Sequence, residues 1–133
     1  MKAQVTWQKN LNFVAESDSG HRINLSGDGE FLSPMEAVLQ SVGACSSIDV
    51  VIILEKARQQ ITGCRCLLEA ERAPSDPKVF TKIMATYVIS GKDISEKHVK
   101  RACELSLEKY CSVALMLKGN VEIEYQYEIK EDA

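Results

Sequence analysis

Residues 33–59 read SPMEAVLQSVGACSSIDVVIILEKARQ, and this segment is the most informative part of the sequence for the fold. Ser33 is a candidate N-cap, Pro34 suits the first helical position, and Glu36 completes a capping box three residues after the serine. The apolar residues that follow lie on nearly all sides of the helical axis: Val38, Leu39, Val42, Ala44, Cys45, Ile48, Val51 and Ile52. A helix that is apolar on most faces is a buried helix. We therefore predict a long buried helix from Met35 to about Gln59.

Alternation of apolar and polar residues on both sides of this helix predicts β-strands. Two alternating runs begin at Ala3 and Leu11, and a third extended segment covers 21–25. Runs at 64–71 and 79–89 predict a hairpin with a connection of roughly six to eight residues.

Two further helices are expected after this hairpin, over 94–110 with Asp93 or Glu96 as the cap, and over 112–118. The alternating run 121–129 predicts the last strand. The order of elements predicts an α+β fold in which one face of an antiparallel sheet packs on the long buried helix. Because one small sheet covers only part of such a helix, we also expect a homodimer with the helix at its interface.

The length of 133 residues predicts a single domain, 1–133. A net charge of −3 lacks the basic excess typical of nucleic-acid-binding proteins and of polybasic membrane anchors. The N-terminus lacks the apolar core of a signal peptide, and the longest unbroken apolar run, Val50 to Leu54, is far shorter than the ~20 residues of a membrane helix. These features predict a cytoplasmic protein whose cysteines are free thiols.

Cys45 is the first candidate for chemistry, because small residues surround it and leave room for a substrate to approach. If Gly43 breaks the helix, Cys45 lies near a new helix start, where the helix dipole favours the thiolate. Cys111 is the second candidate and also precedes a predicted helix. Burial as a small apolar side chain is the alternative for both.

The remaining cysteines fit core positions better than a metal site. Cys64 and Cys66 lie two apart on a strand and share a face, whereas a metal would need further ligands that the two histidines do not offer at suitable spacing. Cys103 falls on the apolar stripe of its helix. We expect no metal and no cofactor.

Three segments resemble the OsmC/Ohr superfamily (osmotically inducible protein C and organic hydroperoxide resistance proteins), and in particular its YhfA-like branch. They are 33–39 (SPMEAVL), 43–51 (GACSSIDVV) and 108–117 (EKYCSVALML). The resemblance covers nearly the whole chain. It implies an OsmC-like fold, an intertwined homodimer with active sites at the subunit interface, and reduction of organic hydroperoxides by thiols.

The resemblance also implies roles for individual residues. Cys45 matches the peroxidatic cysteine and Cys111 the resolving cysteine, and a lipoyl-type dithiol regenerates both. In the family a glutamate directly after the proline orients a catalytic arginine. Here the acid is one position later, at Glu36, and Arg22 is the nearby arginine in the N-terminal strands.

Two other functions are also compatible with the sequence. One is a non-catalytic redox sensor or small-molecule-binding dimer on the same fold, which the displaced Glu36 favours. The other is a purely structural interaction module, in which replacement of Cys45 by serine would change only stability.

Overall fold

The computed structural model describes residues 1–133 as six strands, three α-helices and one π-helical turn. The elements are β1 (Ala3–Lys9), β2 (Asn12–Ser17), β3 (Arg22–Ser26), α1 (Pro34–Lys56), β4 (Gln60–Arg72), β5 (Phe80–Lys92), α2 (Glu96–Leu105), the π-helical turn (Ser106–Tyr110), α3 (Ser112–Leu117) and β6 (Glu122–Glu131). The predicted α+β class is confirmed. The chain divides into two compact units, 1–38 and 39–133.

The N-terminal unit contains an antiparallel sheet in the order β1-β2-β3. Phe13 in the central strand lies opposite Trp7 on one side and Leu25 on the other. The Ser26 hydroxyl accepts a hydrogen bond from the Phe31 N–H at 2.7 Å and so holds the chain that follows β3. The sheet leaves large apolar side chains uncovered, and Trp7 is 64% exposed.

The predicted capping box at the start of α1 is confirmed. The Glu36 N–H donates to Ser33 Oγ at 3.1 Å, and the Ser33 N–H donates to Glu36 Oε1 at 3.3 Å. These reciprocal bonds satisfy two backbone donors that the first turn would otherwise leave unpaired.

Gly43 does not break α1, so the condition for a new helix start near Cys45 is not met. The helix is continuous from Pro34 to Lys56. A Cβ atom at Gly43 would lie 2.7 Å from Leu68 Cδ1 and 3.6 Å from Cys66 Sγ. The glycine therefore lets the helix lie close against β4, at a cost of about 1 kcal/mol in helix propensity relative to alanine.

In the single chain α1 is buried on one side only, as expected if one small sheet covers part of it. Val42, Val50 and Leu54 are fully buried, whereas Ile48 is 60% and Ile52 45% exposed. The helix is long and apolar enough, by length and composition, to cross a membrane, which the short unbroken run of apolar residues did not indicate. The core helices of soluble proteins meet the same criterion.

The second sheet has the order β4-β5-β6. As predicted, β4 and β5 form an antiparallel hairpin, and its connection covers 73–79. β6 pairs with β5 in parallel, so this pair departs from the expected antiparallel sheet. The chain between β5 and β6 passes through α2 and α3, and such a crossover returns the next strand in the same direction.

The core of the C-terminal unit lies between α1, β5 and α2. Its fully buried residues are Val50, Leu54, Ala85, Tyr87, Ile89, Val99, Ala102 and Cys103. Three inward residues of β6, as predicted from their alternation, pack against it: Tyr125, Tyr127 and Ile129.

The predicted helix 94–110 ends at Tyr110 as expected, but it begins two residues later and its last turn is not α-helical. Asp93 has a φ of 52°, which places it in a left-handed turn, and Ser95 is the N-cap of α2. The α-helix ends at Leu105, and residues 106–110 form the π-helical turn. Because a π-turn widens the helix by one residue, the periodicity that predicts an α-helix does not reveal it.

Candidate thiol site

Cys45 lies in the middle of α1 and is partly exposed. Its backbone amide is hydrogen-bonded within the helix, so the dipole of a helix start does not act on its thiol. The neighbouring Asp49 lies one turn further along the same helical face.

Cys111 lies at the N-terminus of α3, as the sequence predicted, and its side chain is fully buried. Three bonds fix its position. Its N–H donates to the Ser106 carbonyl at 2.7 Å, its carbonyl accepts from the Leu115 N–H at 2.9 Å, and its sulfur accepts from the Ala114 N–H at 3.4 Å. The sulfur therefore acts as the N-cap of α3.

The structure brings the thiols of Cys45 and Cys111 into hydrogen-bonding contact, although they are far apart in the sequence. Both are free thiols. Burial raises the pKa of Cys111 from 9.0 to about 11, with a further increase from Cys45 and a partial decrease from the Ala114 N–H. Cys111 is consequently a protonated thiol at neutral pH.

The three other cysteines pack in or against the core, which agrees with the sequence interpretation. Burial raises the pKa of Cys66 to about 11 and that of Cys103 to about 12, and it raises the pKa of Cys64 as well. Since the thiolate is the nucleophile, these thiols are poorly reactive. No group of three or more His, Cys, Asp or Glu side chains is arranged to hold a metal ion.

Glu36 and Arg22 both lie in the N-terminal unit, and each has a local partner. The Glu36 carboxylate accepts from the Ser33 N–H in the capping box. The Arg22 guanidinium pairs with Glu16 at 3.3 Å on the surface of the sheet. An exposed pair of this kind contributes on the order of 0–1 kcal/mol to stability and is easily exchanged.

A buried polar network beside Cys45 was not predicted from the sequence. The Tyr87 hydroxyl donates to Ser46 Oγ at 2.6 Å, and Ser46 Oγ donates to the Val42 carbonyl at 2.7 Å. The Ser106 hydroxyl lies 3.0 Å from the Ser46 carbonyl and 3.0 Å from Asp49 Oδ2, both in α1. The residues next to a helical serine do not indicate which distant residue its hydroxyl will contact.

Comparisons with known proteins agree with this architecture. A family model described as OsmC-like protein matches residues 27–126. Protein YhfA of Escherichia coli K12 is 46% identical over 131 residues, which cover 97% of this chain and 98% of the relative.

Two solved structures show similar folds at different distances in sequence. A hypothetical protein from Aquifex aeolicus VF5 has a TM-score of 0.91 and 31% identity, covering 99% of this chain and 97% of that one. The organic hydroperoxide resistance protein OhrB of Bacillus subtilis has a TM-score of 0.64 and 17% identity, covering 96% and 98%.

Proposed function

Because the chain belongs to the OsmC-like protein family, we propose that it is a thiol-dependent peroxidase that reduces organic hydroperoxides. The contact between the thiols of Cys45 and Cys111 carries this proposal. A partly exposed cysteine beside a fully buried one suits a peroxidatic and a resolving cysteine. The name of OhrB, an organic hydroperoxide resistance protein of the same fold, supports the choice of substrate class.

The proposed reaction has three balanced steps. The Cys45 thiolate attacks the O–O bond of the hydroperoxide, becomes a sulfenic acid and releases the alcohol. The Cys111 thiol condenses with this sulfenic acid to form a disulfide and water. An external dithiol of the lipoyl type then reduces the disulfide by two exchange steps and leaves as a cyclic disulfide. The reacting groups of the protein in this cycle are the two thiols of Cys45 and Cys111.

The assignment of the two roles rests on exposure. The peroxide has to reach the first sulfur, and Cys45 is the partly exposed member of the pair. Cys111 is fully buried, which protects it from direct oxidation and keeps it available for the sulfenic acid beside it. Burial raises the pKa values of the other three cysteines, so they are poor competitors for the peroxide.

The whole chain, 1–133, is proposed to act as one OsmC-like domain within a homodimer in the cytoplasm. The exposed residues Ile48 and Ile52 of α1 and Trp7 of β1 support the dimer, because exposed apolar surface of this kind typically marks an interface. A second copy covering α1 would also enclose the partly exposed Cys45, so that each active site forms where two subunits meet.

Steady-state turnover tests the proposed activity. Reduced protein is mixed with cumene hydroperoxide and dihydrolipoamide, and peroxide consumption is compared among the wild type, Cys45→Ser, Cys111→Ser and Cys64→Ser. We expect turnover in the wild type and in Cys64→Ser, which serves as the matched control. Loss of turnover in Cys45→Ser and in Cys111→Ser is expected, and turnover that persists without Cys45 contradicts the proposal.

A second candidate function is a redox sensor or small-molecule-binding dimer without turnover. The local partners of Arg22 and Glu36 favour it, because Arg22 pairs with Glu16 and Glu36 with Ser33, and neither contact involves a thiol. A sensor would form the Cys45–Cys111 disulfide once with excess peroxide and would not be reduced by dihydrolipoamide. The same assay therefore separates the two functions.

A further inference from the structure

Ser106 is bonded to both cysteine-bearing segments of the site. Its buried hydroxyl lies 3.0 Å from the carbonyl of Ser46, the residue directly after Cys45. Its backbone carbonyl accepts the Cys111 N–H at 2.7 Å. One residue therefore connects the helix that carries the first sulfur with the backbone that carries the second.

This connection matters because the π-helical turn, which begins at Ser106, leads directly to Cys111. A π-turn is rare and less favourable than a continued α-helix, and it persists where tertiary contacts hold it. Ser106 is the first residue of the turn, and the turn ends directly before Cys111. If the turn relaxed to an α-helix, the residues after it would rotate and shift, and the position of the Cys111 sulfur would change with them.

Asp49 strengthens the attachment. Its Oδ2 atom also lies 3.0 Å from the Ser106 hydroxyl, so one hydroxyl hydrogen serves two acceptors in α1. A hydrogen bond to a charged acceptor is stronger than one between neutral groups. Asp49 is half-buried on the same helical face as Cys45, so this second bond also lies beside the reacting sulfur.

We propose that Ser106 is a positioning residue for the disulfide-forming step, because it fixes the π-helical turn to α1 and thereby holds the Cys111 thiol against the Cys45 sulfenic acid. This inference rests on the proposed function of the two cysteines. Ser106 does not touch the reacting atoms and acts only through the placement of Cys111. It therefore affects the condensation that releases water and leaves the attack on the peroxide unchanged.

Single-turnover oxidation separates these two steps. Reduced protein receives one equivalent of cumene hydroperoxide, and the Cys45 sulfenic acid is trapped with dimedone at successive times and quantified by mass spectrometry. In Ser106→Ala we expect normal formation of the sulfenic acid and about a tenfold longer lifetime, as expected for a mispositioned reaction partner. With excess peroxide, this variant should also accumulate the Cys45 sulfinic acid.

Tyr87→Phe is the matched control, since it also removes one buried hydroxyl from the network around Ser46 and leaves Ser106 in place. Its sulfenic acid should decay as fast as in the wild type. A loss of stability alone would affect both variants and would not lengthen one intermediate selectively. Equal lifetimes in Ser106→Ala and the wild type overturn the inference.

Asp49→Ala decides the question if Ser106→Ala does not fold. This half-buried position tolerates truncation better, and loss of one acceptor should lengthen the sulfenic acid lifetime by about threefold. An unchanged lifetime then overturns the inference. If the wild type itself forms no Cys45–Cys111 disulfide, the proposed function fails first and the role of Ser106 fails with it.

Discussion

The thiol of Cys111, the N-cap of α3, is in hydrogen-bonding contact with the thiol of Cys45 in the middle of α1. Cys111 is fully buried, whereas Cys45 is partly exposed. This asymmetry divides the proposed reaction into a step open to the peroxide and a step shielded from it. The protonation state of the Cys111 thiol should therefore affect the rate of the second step, which is disulfide formation.

Disulfide formation should become faster as the pH rises. Burial raises the pKa of Cys111 to about 11, so its thiolate fraction at neutral pH is small. If the thiolate attacks the sulfenic acid, the rate should rise about tenfold per pH unit between pH 6 and 9. Stopped-flow measurement of sulfenic acid decay over this range tests the prediction. A flat profile would show that deprotonation of Cys111 does not limit this step.

The parts of the fold that depend on local sequence were predictable. The Ser33–Glu36 capping box and the alternation of Tyr125 and Tyr127 follow from residues close in the chain, and both are confirmed. The parallel pairing of β5 and β6 was not predictable, because alternation is the same in either direction. The close approach of Leu68 to Gly43 was not predictable either, because it is a tertiary contact.

In the candidate site, too, the local motifs were predictable and the tertiary contacts were not. Cys45 and Cys111 were identified from their motifs, but their contact depends on how α1 and α3 pack. Ser106 was not identified, because its partners Ser46 and Asp49 are 60 and 57 residues away in the sequence. The π-helical turn that places it interrupts an otherwise helical pattern without a glycine or proline to mark the change.

Stability should fall at alkaline pH because of the buried thiols. Cys103 has a pKa of about 12 in the folded chain and about 9 when unfolded, so its stabilising contribution is complete below pH 9 and is lost as the pH rises towards 12. Urea unfolding of reduced wild type and Cys103→Ala at pH 8 and 10.5 tests this. Above pH 9 the unfolding free energy of both proteins should decrease, and the slope for the variant should be smaller than that for the wild type by about 1.4 kcal/mol per pH unit. Parallel decreases would contradict the prediction.

A charge on the exposed face of α1 should prevent dimer formation. Ile48 is 60% exposed in the single chain, and burial of a lysine at an apolar interface is strongly unfavourable. We expect Ile48→Lys to sediment as a monomer in analytical ultracentrifugation, whereas the wild type sediments as a dimer. Leu67→Lys is the matched control, because Leu67 is 46% exposed on the outer face of β4. A dimeric Ile48→Lys would exclude this face as the interface.

Mapping of the oxidised thiols shows whether Cys45 and Cys111 form a reactive pair. The reduced protein is treated with one equivalent of cumene hydroperoxide, alkylated and analysed by mass spectrometry without reduction. We predict one intrachain disulfide between Cys45 and Cys111, with Cys64, Cys66 and Cys103 alkylated as free thiols. A disulfide that involves any of these three, or a Cys45 that remains a free thiol, would contradict the account.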